Sequence, residues 1–226
     1  MGVVTGIVES HRKDGRFVVQ VDGRPFATVS LDILDRLQLR VGTAVGDTVG
    51  TALAEAAVAL QTYDRALNLL AFQARSARDL RRRLLQKGEL EAHVDAAIER
   101  LTANGLLDDS AYARQLARSK VVGQGASRRR VQQEMFKRGV AREVADEAIA
   151  EVFEDEGVDE GELVEQVARK KARALTKLDP DTRRRRLYAF LARRGYESDA
   201  IRRAMKAVLD AGEAEAALDA IDDESE

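Results

Sequence analysis

The sequence predicts a mainly α protein: three tandem three-helix repeats in an elongated array, behind a small β-rich (α+β) amino-terminal module. Basic amphipathic stretches end on a glycine three times, at Gln86-Lys87-Gly88, Lys137-Arg138-Gly139 and Arg193-Arg194-Gly195. Before each glycine, apolar residues recur at one helical spacing: Leu80, Val131 and Leu187, then Leu84, Met135 and Leu191. After each glycine the match resumes with Val94, Ala145 and Ile201, then Ile98, Ile149 and Met205, then Leu101, Val152 and Val208. The repeated unit is therefore helix, glycine stop, helix. A chain with 4% aromatic residues and neither Trp nor Cys fits helical rather than sheet-rich architecture.

The amino-terminal residues read differently. Phe17 to Val21 and Phe26 to Val29 flank Asp22-Gly23, a dipeptide suited to the positive φ angles of a type I′ hairpin turn, and Val3 to Val8 adds a third strand. Pro25 cannot donate to a ladder, so it belongs at the start or edge of its strand. Ser30 is placed to cap a short helix carrying Leu31, Leu34 and Leu37. From about Ala54 the pattern turns helical, with a leading helix through Leu60, Leu67 and Ala74 before the first repeated pair. Asp108 or Asp109 opens the second unit, whose leading helix ends near Gly123-Gln124-Gly125. Glu154 to Gly161 reads as an acidic, glycine-broken connector, and Asp179-Pro180 opens the last basic helix. The expected divisions are residues 1–52 for the strand module, 53–106, 107–156 and 157–210 for the repeats, and 211–226 for an acidic tail, read as a disordered solubilising end.

A formal net charge of -2 conceals unlike parts. Residues 211–226 carry seven acids and no base, which leaves 37 bases against 32 acids in the body. The basic character sits in the helices before the glycines: six bases and one acid over 75–88, five and one over 127–139, six and none over 183–195. On a helical wheel with the apolar stripe inward, Arg78, Arg129 and Arg185 point outward at equivalent positions. Arg82, Arg130, Lys137, Arg186 and Arg193 share that arc. The glycines, and Lys87, Arg138 and Arg194 just before them, have structural work as helix stops and dipole partners. The outer cations are left to face a partner.

These residues resemble the RecX family of regulators of the RecA recombinase. The likeness rests on Ser76 to Gly88, on Gly105-Leu106-Leu107-Asp108-Asp109 with Tyr112-Ala113, and on Gly125-Ala126-Ser127 leading to Lys137-Arg138-Gly139. It spans about 63–209, and the strand module is similar to the extension of longer members. The resemblance implies three tandem three-helix repeats and a non-enzymatic protein that lies in the groove of the RecA filament on DNA. There it inhibits ATP hydrolysis and strand exchange, within DNA repair, homologous recombination and the SOS response. The partners implied are the RecA filament and single-stranded or duplex DNA, held weakly and non-specifically; a monomer without cofactors is expected. The third unit departs from the others, with Arg183 where Ser76 and Ser127 stand and Tyr188 where Arg81 and Gln132 stand.

Other classes are disfavoured. With no Cys and with His11 and His93 as its only histidines, the chain has no zinc cluster and no thiol nucleophile, and the glycines at 42, 46 and 50 lack the Lys-Ser/Thr of a phosphate loop. The start of the chain lacks a signal-peptide pattern and no apolar run is long enough to span a bilayer, so a cytoplasmic location without membrane contact is expected. A sequence-specific helix-turn-helix regulator is the main alternative, because helix, glycine turn, helix also describes that motif. It would read bases with the helix after the turn, and there 89–101 and 142–152 each carry four acids and one base. A pure protein scaffold that ignores nucleic acid is the third reading.

Overall fold

The computed structural model describes residues 2–11 and 13–223, with side chains through residue 210. It divides into two compact units, one through Leu107 and one from Asp108. The first begins with a four-stranded antiparallel sheet of β1 (Gly2–Glu9), β2 (Arg16–Val21), β3 (Arg24–Ser30) and β4 (Ala44–Val45), in the order β3-β2-β1-β4. The β2–β3 turn is the expected type I′, with Asp22 at φ 49 and Gly23 at φ 77. Pro25 lies one residue inside β3, an edge strand, where its missing N–H weakens the ladder least. Alternation turns Val4, Val19, Ala27 and Val29 inward against Leu34, Leu39, Leu53 and Ala57. The short helix α1 (Leu31–Arg36) follows Ser30 as expected, but the serine hydroxyl makes no capping bond.

One long helix, α2 (Asp47–Phe72), belongs to two cores. It starts at Asp47 behind Gly46, not near Ala54, since the glycines at 46 and 50 sit at the cap and first turn, where they interrupt nothing. Leu53 and Ala57 close the strand module, whereas Leu60, Tyr63 and Ala66 pack with α3 (Ala77–Gln86) and α4 (Glu91–Ala103). Lys13 and Arg16 both bond the Asp64 carboxylate at 2.7 Å and tie the β1–β2 turn to the same helix.

The second unit holds the other two repeats: α5 (Asp109–Gln124), α6 (Arg128–Lys137) and α7 (Arg142–Asp155), then α8 (Glu160–Arg173), α9 (Pro180–Arg193) and α10 (Ser198–Asp223). Asp108 rather than Asp109 caps α5, accepting from Ala111 N at 2.9 Å. The stripes before the glycines are the core: Leu80, Leu84, Val131, Met135, Leu187 and Leu191 are all fully buried. Gly88, Gly139 and Gly195 adopt φ 82, 78 and 87, and in the first two repeats the glycine N–H and the one after it close a Schellman motif, Gly88 and Glu89 donating to the Leu85 and Leu84 carbonyls and Gly139 and Val140 to those of Phe136 and Met135.

Two expectations are corrected. The acidic connector is only 156–159, because Glu154 and Asp155 complete α7 while Gly161 lies in the first turn of α8, capped by Asp159. The carboxy-terminal helix continues through Asp223 instead of ending near Leu209 and giving way to disorder. Five of the thirteen residues 211–223 are Ala, the strongest helix former, which outweighs the segment's uniform charge. The last tail residues, 224–226, lie outside the described residues.

Candidate basic interface

Each basic helix starts from a cap that sets which arginines face out. Ser76 Oγ accepts from Asp79 N at 3.1 Å and Ser127 Oγ from Arg130 N at 3.2 Å. The third helix has no serine there because it begins a turn earlier: Asp179 accepts from Thr182 N at 2.9 Å and Pro180 takes the first position. Arg183 is thus an interior residue of α9, which runs four residues longer than α3 or α6.

All eight arginines and lysines assigned to the outer arc stand at the surface, Arg130 half-buried and the other seven exposed. Their electrostatic surroundings differ sharply. In α3, Asp79 is buried and bonds Arg75 and Arg83 at 2.9 Å as well as Arg82. Burial alone raises the Asp79 pKa, but the Arg83 and Arg75 hydrogen bonds outweigh it and hold the carboxyl below its ordinary value. Arg81 reaches across to Asp95 at 2.7 Å and to Glu91 on α4. Of the α3 arginines, only Arg78 has no ionic partner among the described residues, so Arg82 is committed inside its own repeat.

The position of Arg81 is a cross-helix tie in all three units, which explains the variation seen there. Gln132 donates to Asp146 at 2.5 Å, and the Tyr188 and Ser198 hydroxyls lie 3.0 Å apart.

Charge is freer in the second unit. Arg128 lies 3.8 Å over the Phe153 ring, Arg129 meets Glu197 at 3.7 Å with both ends largely exposed, and Arg138 bonds Glu134 at 3.0 Å. Lys137 and the side chain of Arg130 have no ionic partner among the described residues. In α9, Arg183, Arg184, Arg185, Arg186 and Arg193 make no ion pair within 4 Å among the described residues; Arg185 bonds the Thr182 hydroxyl at 3.3 Å and its charge reaches the capping carboxylate of Asp179 only through space.

The α9 stop seats directly on the start of α6. Ser127 N donates to Arg194 O at 3.0 Å, Tyr196 Oη to Gly125 O at 3.0 Å, and Arg194 Nε to Gln124 O at 2.8 Å. A Cβ on Gly195 would lie 2.6 Å from Arg130 Cβ and 2.7 Å from Ser127 Oγ. The glycine therefore serves close approach as well as its left-handed φ. This junction puts Arg129 and Arg130 beside the end of α9, so cations of two repeats adjoin. Arg203 and Lys206 on α10, beside Arg202 paired to Asp199, extend the charge, and sequence reading does not single out those three; Arg184 extends it too, within the four-arginine run 183–186 visible in sequence. The signal was present: after Asp181 no acid appears until Glu197.

Among the described residues no group of three or more His, Cys, Asp or Glu could hold a metal, and no helix is long and apolar enough to cross a membrane.

Comparison with known proteins returns one family throughout. Models of the first, second and third three-helix domains of RecX match residues 63–101, 108–149 and 159–205. A protein from Chlorobaculum tepidum named Regulatory protein RecX is 34% identical over 163 residues, covering 70% of this chain and 94% of its own length. One of the same name from Clostridioides difficile is 22% identical over 209 residues, covering 92% and 97%. A crystal structure of regulatory protein RecX superposes with a TM-score of 0.70 at 22% identity, over 88% of this chain and 97% of that one, and bears on the fold alone.

Proposed function

The chain belongs to the RecX family, and we propose on that premise that it is a non-enzymatic regulator that binds the RecA–DNA filament through its basic helical face and inhibits ATP hydrolysis and strand exchange. The observation that carries this reading is the uncompensated cationic surface of α6 and α9, made continuous by the seat of Gly195 on α6. Five arginines on α9, against the single exposed acid Asp181, repel one another, and an anionic partner relieves that repulsion. Acidic protomer surfaces and DNA phosphates both supply the required charge, and the phosphate part is non-specific and salt-sensitive. The filament is the partner and the cytoplasm the site of action on this reading.

Charge reversal of Arg78, Arg129 and Arg185 to Glu tests it. Titrated into RecA, single-stranded DNA and ATP, the native chain lowers the hydrolysis rate, and the triple variant loses most of that inhibition with unchanged helicity by circular dichroism. Full inhibition by the variant sinks the proposal.

One observation favours the helix-turn-helix alternative, and only in the third unit: the first turns of the helix after Gly195, 198–209, carry Arg202, Arg203 and Lys206 against Asp199, although the rest of that helix, through Asp223, adds Asp210 and five further acids. Tight, site-selective retardation of duplex DNA without recombinase would establish that reading instead.

A further inference from the structure

A second cationic feature lies off the outer arc, in a cleft of about 450 Å³ where the end of α5 meets α8 and α9. Lys170, Lys171 and Arg194 line it, and no carboxylate does. Val122, Leu163, Val167 and Phe190 form its apolar walls.

Arg194 is held rather than free. Its Nε donates to Gln124 O at 2.8 Å and its guanidinium lies 3.9 Å from the Phe190 ring centroid, while Lys171 Nζ lies 5.1 Å from the same centroid. Its two η nitrogens have no hydrogen-bond partner among the described residues. The equivalent in the second repeat is Arg138, which bonds Glu134 and, at 3.3 Å, the Tyr112 hydroxyl. Four residues before the arginine, Phe190 stands where Glu134 stands, so the neutralising acid has been replaced by a ring that only orients the cation. The pKa values follow: the Tyr112 bond and the Glu134 carboxylate raise that of Arg138, whereas burial, reinforced by Arg193, lowers that of Arg194. Partly buried positive charge without an internal counter-ion calls for an external one.

We propose that this cleft holds the backbone phosphates of single-stranded nucleic acid, with Arg194 as the forked anchor and Lys170 and Lys171 as flanking point charges. Three cations in one cleft call for an anion of several charges, as a run of phosphates supplies; a single carboxylate would leave two uncompensated. The Phe190 ring, already faced by Arg194 and Lys171, offers no socket for an aliphatic anchor, which weighs against an acidic peptide. Val122, 55% exposed at the rim, gives a deoxyribose an apolar contact. Its apolar walls can meet sugars and bases that a duplex keeps stacked inside, which favours a single strand. The site rests on the nucleic-acid part of the function proposed above and makes the protein itself, without recombinase, the binder.

The test is fluorescence anisotropy of a fluorescein-labelled oligothymidylate with the full chain alone, across a range of salt. Replacing Lys170→Ala and Lys171→Ala together, side chains that no helix core uses, is expected to weaken binding about tenfold. The logarithmic salt slope should fall by about 1.4, that is about 0.7 for each phosphate no longer neutralised. An unchanged affinity and slope overturns the proposal, as does no binding of oligothymidylate by the native chain. So does the opposite selectivity, in which the double variant loses polyglutamate but keeps oligothymidylate. Inhibition of RecA ATP hydrolysis separates the two readings: if the double variant loses DNA binding but still inhibits, the cleft and not the outer face is the DNA contact, and if the charge-reversed Arg78, Arg129 and Arg185 variant loses inhibition but keeps oligothymidylate binding, the cleft stands while the outer face fails to hold DNA.

Discussion

The helices α3 and α9 occupy the same place in their repeats and spend their charge in opposite ways. In α3 the buried Asp79 gathers Arg75, Arg82 and Arg83, Arg81 is taken by α4, and the helix is a nearly closed ionic network. In α9 no buried acid exists, the tie to the next helix is a pair of hydroxyls, and the arginines remain available. An equal count of six bases over 75–88 and 183–195 thus does not mean equal surface potential. What decides it is that the first-turn carboxylate of α3, Asp79, is buried among its arginines, whereas that of α9, Asp181, is exposed and makes no ion pair among the described residues. The first repeat puts its cations into its own stability, and the third presents them outward.

Removing that carboxylate should produce the largest effect. Asp79→Ala leaves Arg75, itself only 8% exposed, as a buried unpaired cation and is expected to cost about 3–5 kcal/mol, read by chemical denaturation. Destabilisation below about 1 kcal/mol would erase the contrast between the two helices. Next in size is Gly195→Ala. The left-handed φ of 87 costs about 1–2 kcal/mol, and overlap with Arg130 and Ser127 adds about 1–3 kcal/mol. Gly88→Ala, at φ 82 with nothing within 4 Å of the added methyl, should show the first part alone; equal losses at the two sites would refute the close approach. Acid gives a smaller, graded effect. The folded Asp79 pKa is depressed below its ordinary 3.8, so its contribution is fully present above that value and is lost as pH falls through the lower folded one. The stability gap between the native chain and Asp79→Asn should therefore close over about pH 5 to 2. A gap independent of pH would mean that the ionised carboxylate is not what organises the arginines.

The fold was largely legible because its signals are local and periodic. The recurring stripe named the buried residues of every repeat, and the glycines named the left-handed stops. The candidate face was legible only in outline. A wheel shows that Arg82 and Arg186 share an arc, but it does not show that a turn of helix buries Asp79 within reach of Arg82 and gives Arg186 no such neighbour. That depends on rotamers and on the cap, and the cap of α9 had moved to Asp179. The cleft around Arg194 was hidden for a related reason: Lys170 and Lys171 lie more than twenty residues before it and meet it only through packing. The run of the last helix through residues 211–223 was missed because charge was weighed above helix propensity.

The shared helix α2 has a mechanical meaning. Leu53 and Leu60 are seven residues apart, about 10 Å along the axis and close to two full turns, so the two bearings of this rod face nearly the same side. A helix without a break at that point does not act as a hinge. Torque applied to the strand sheet, through Asp64 and its two salt bridges, passes along a crankshaft to Tyr63 and Ala66 in the first repeat. A cut at residue 52 would sever that shaft just ahead of Leu53 and strip the strand core of Leu53 and Ala57.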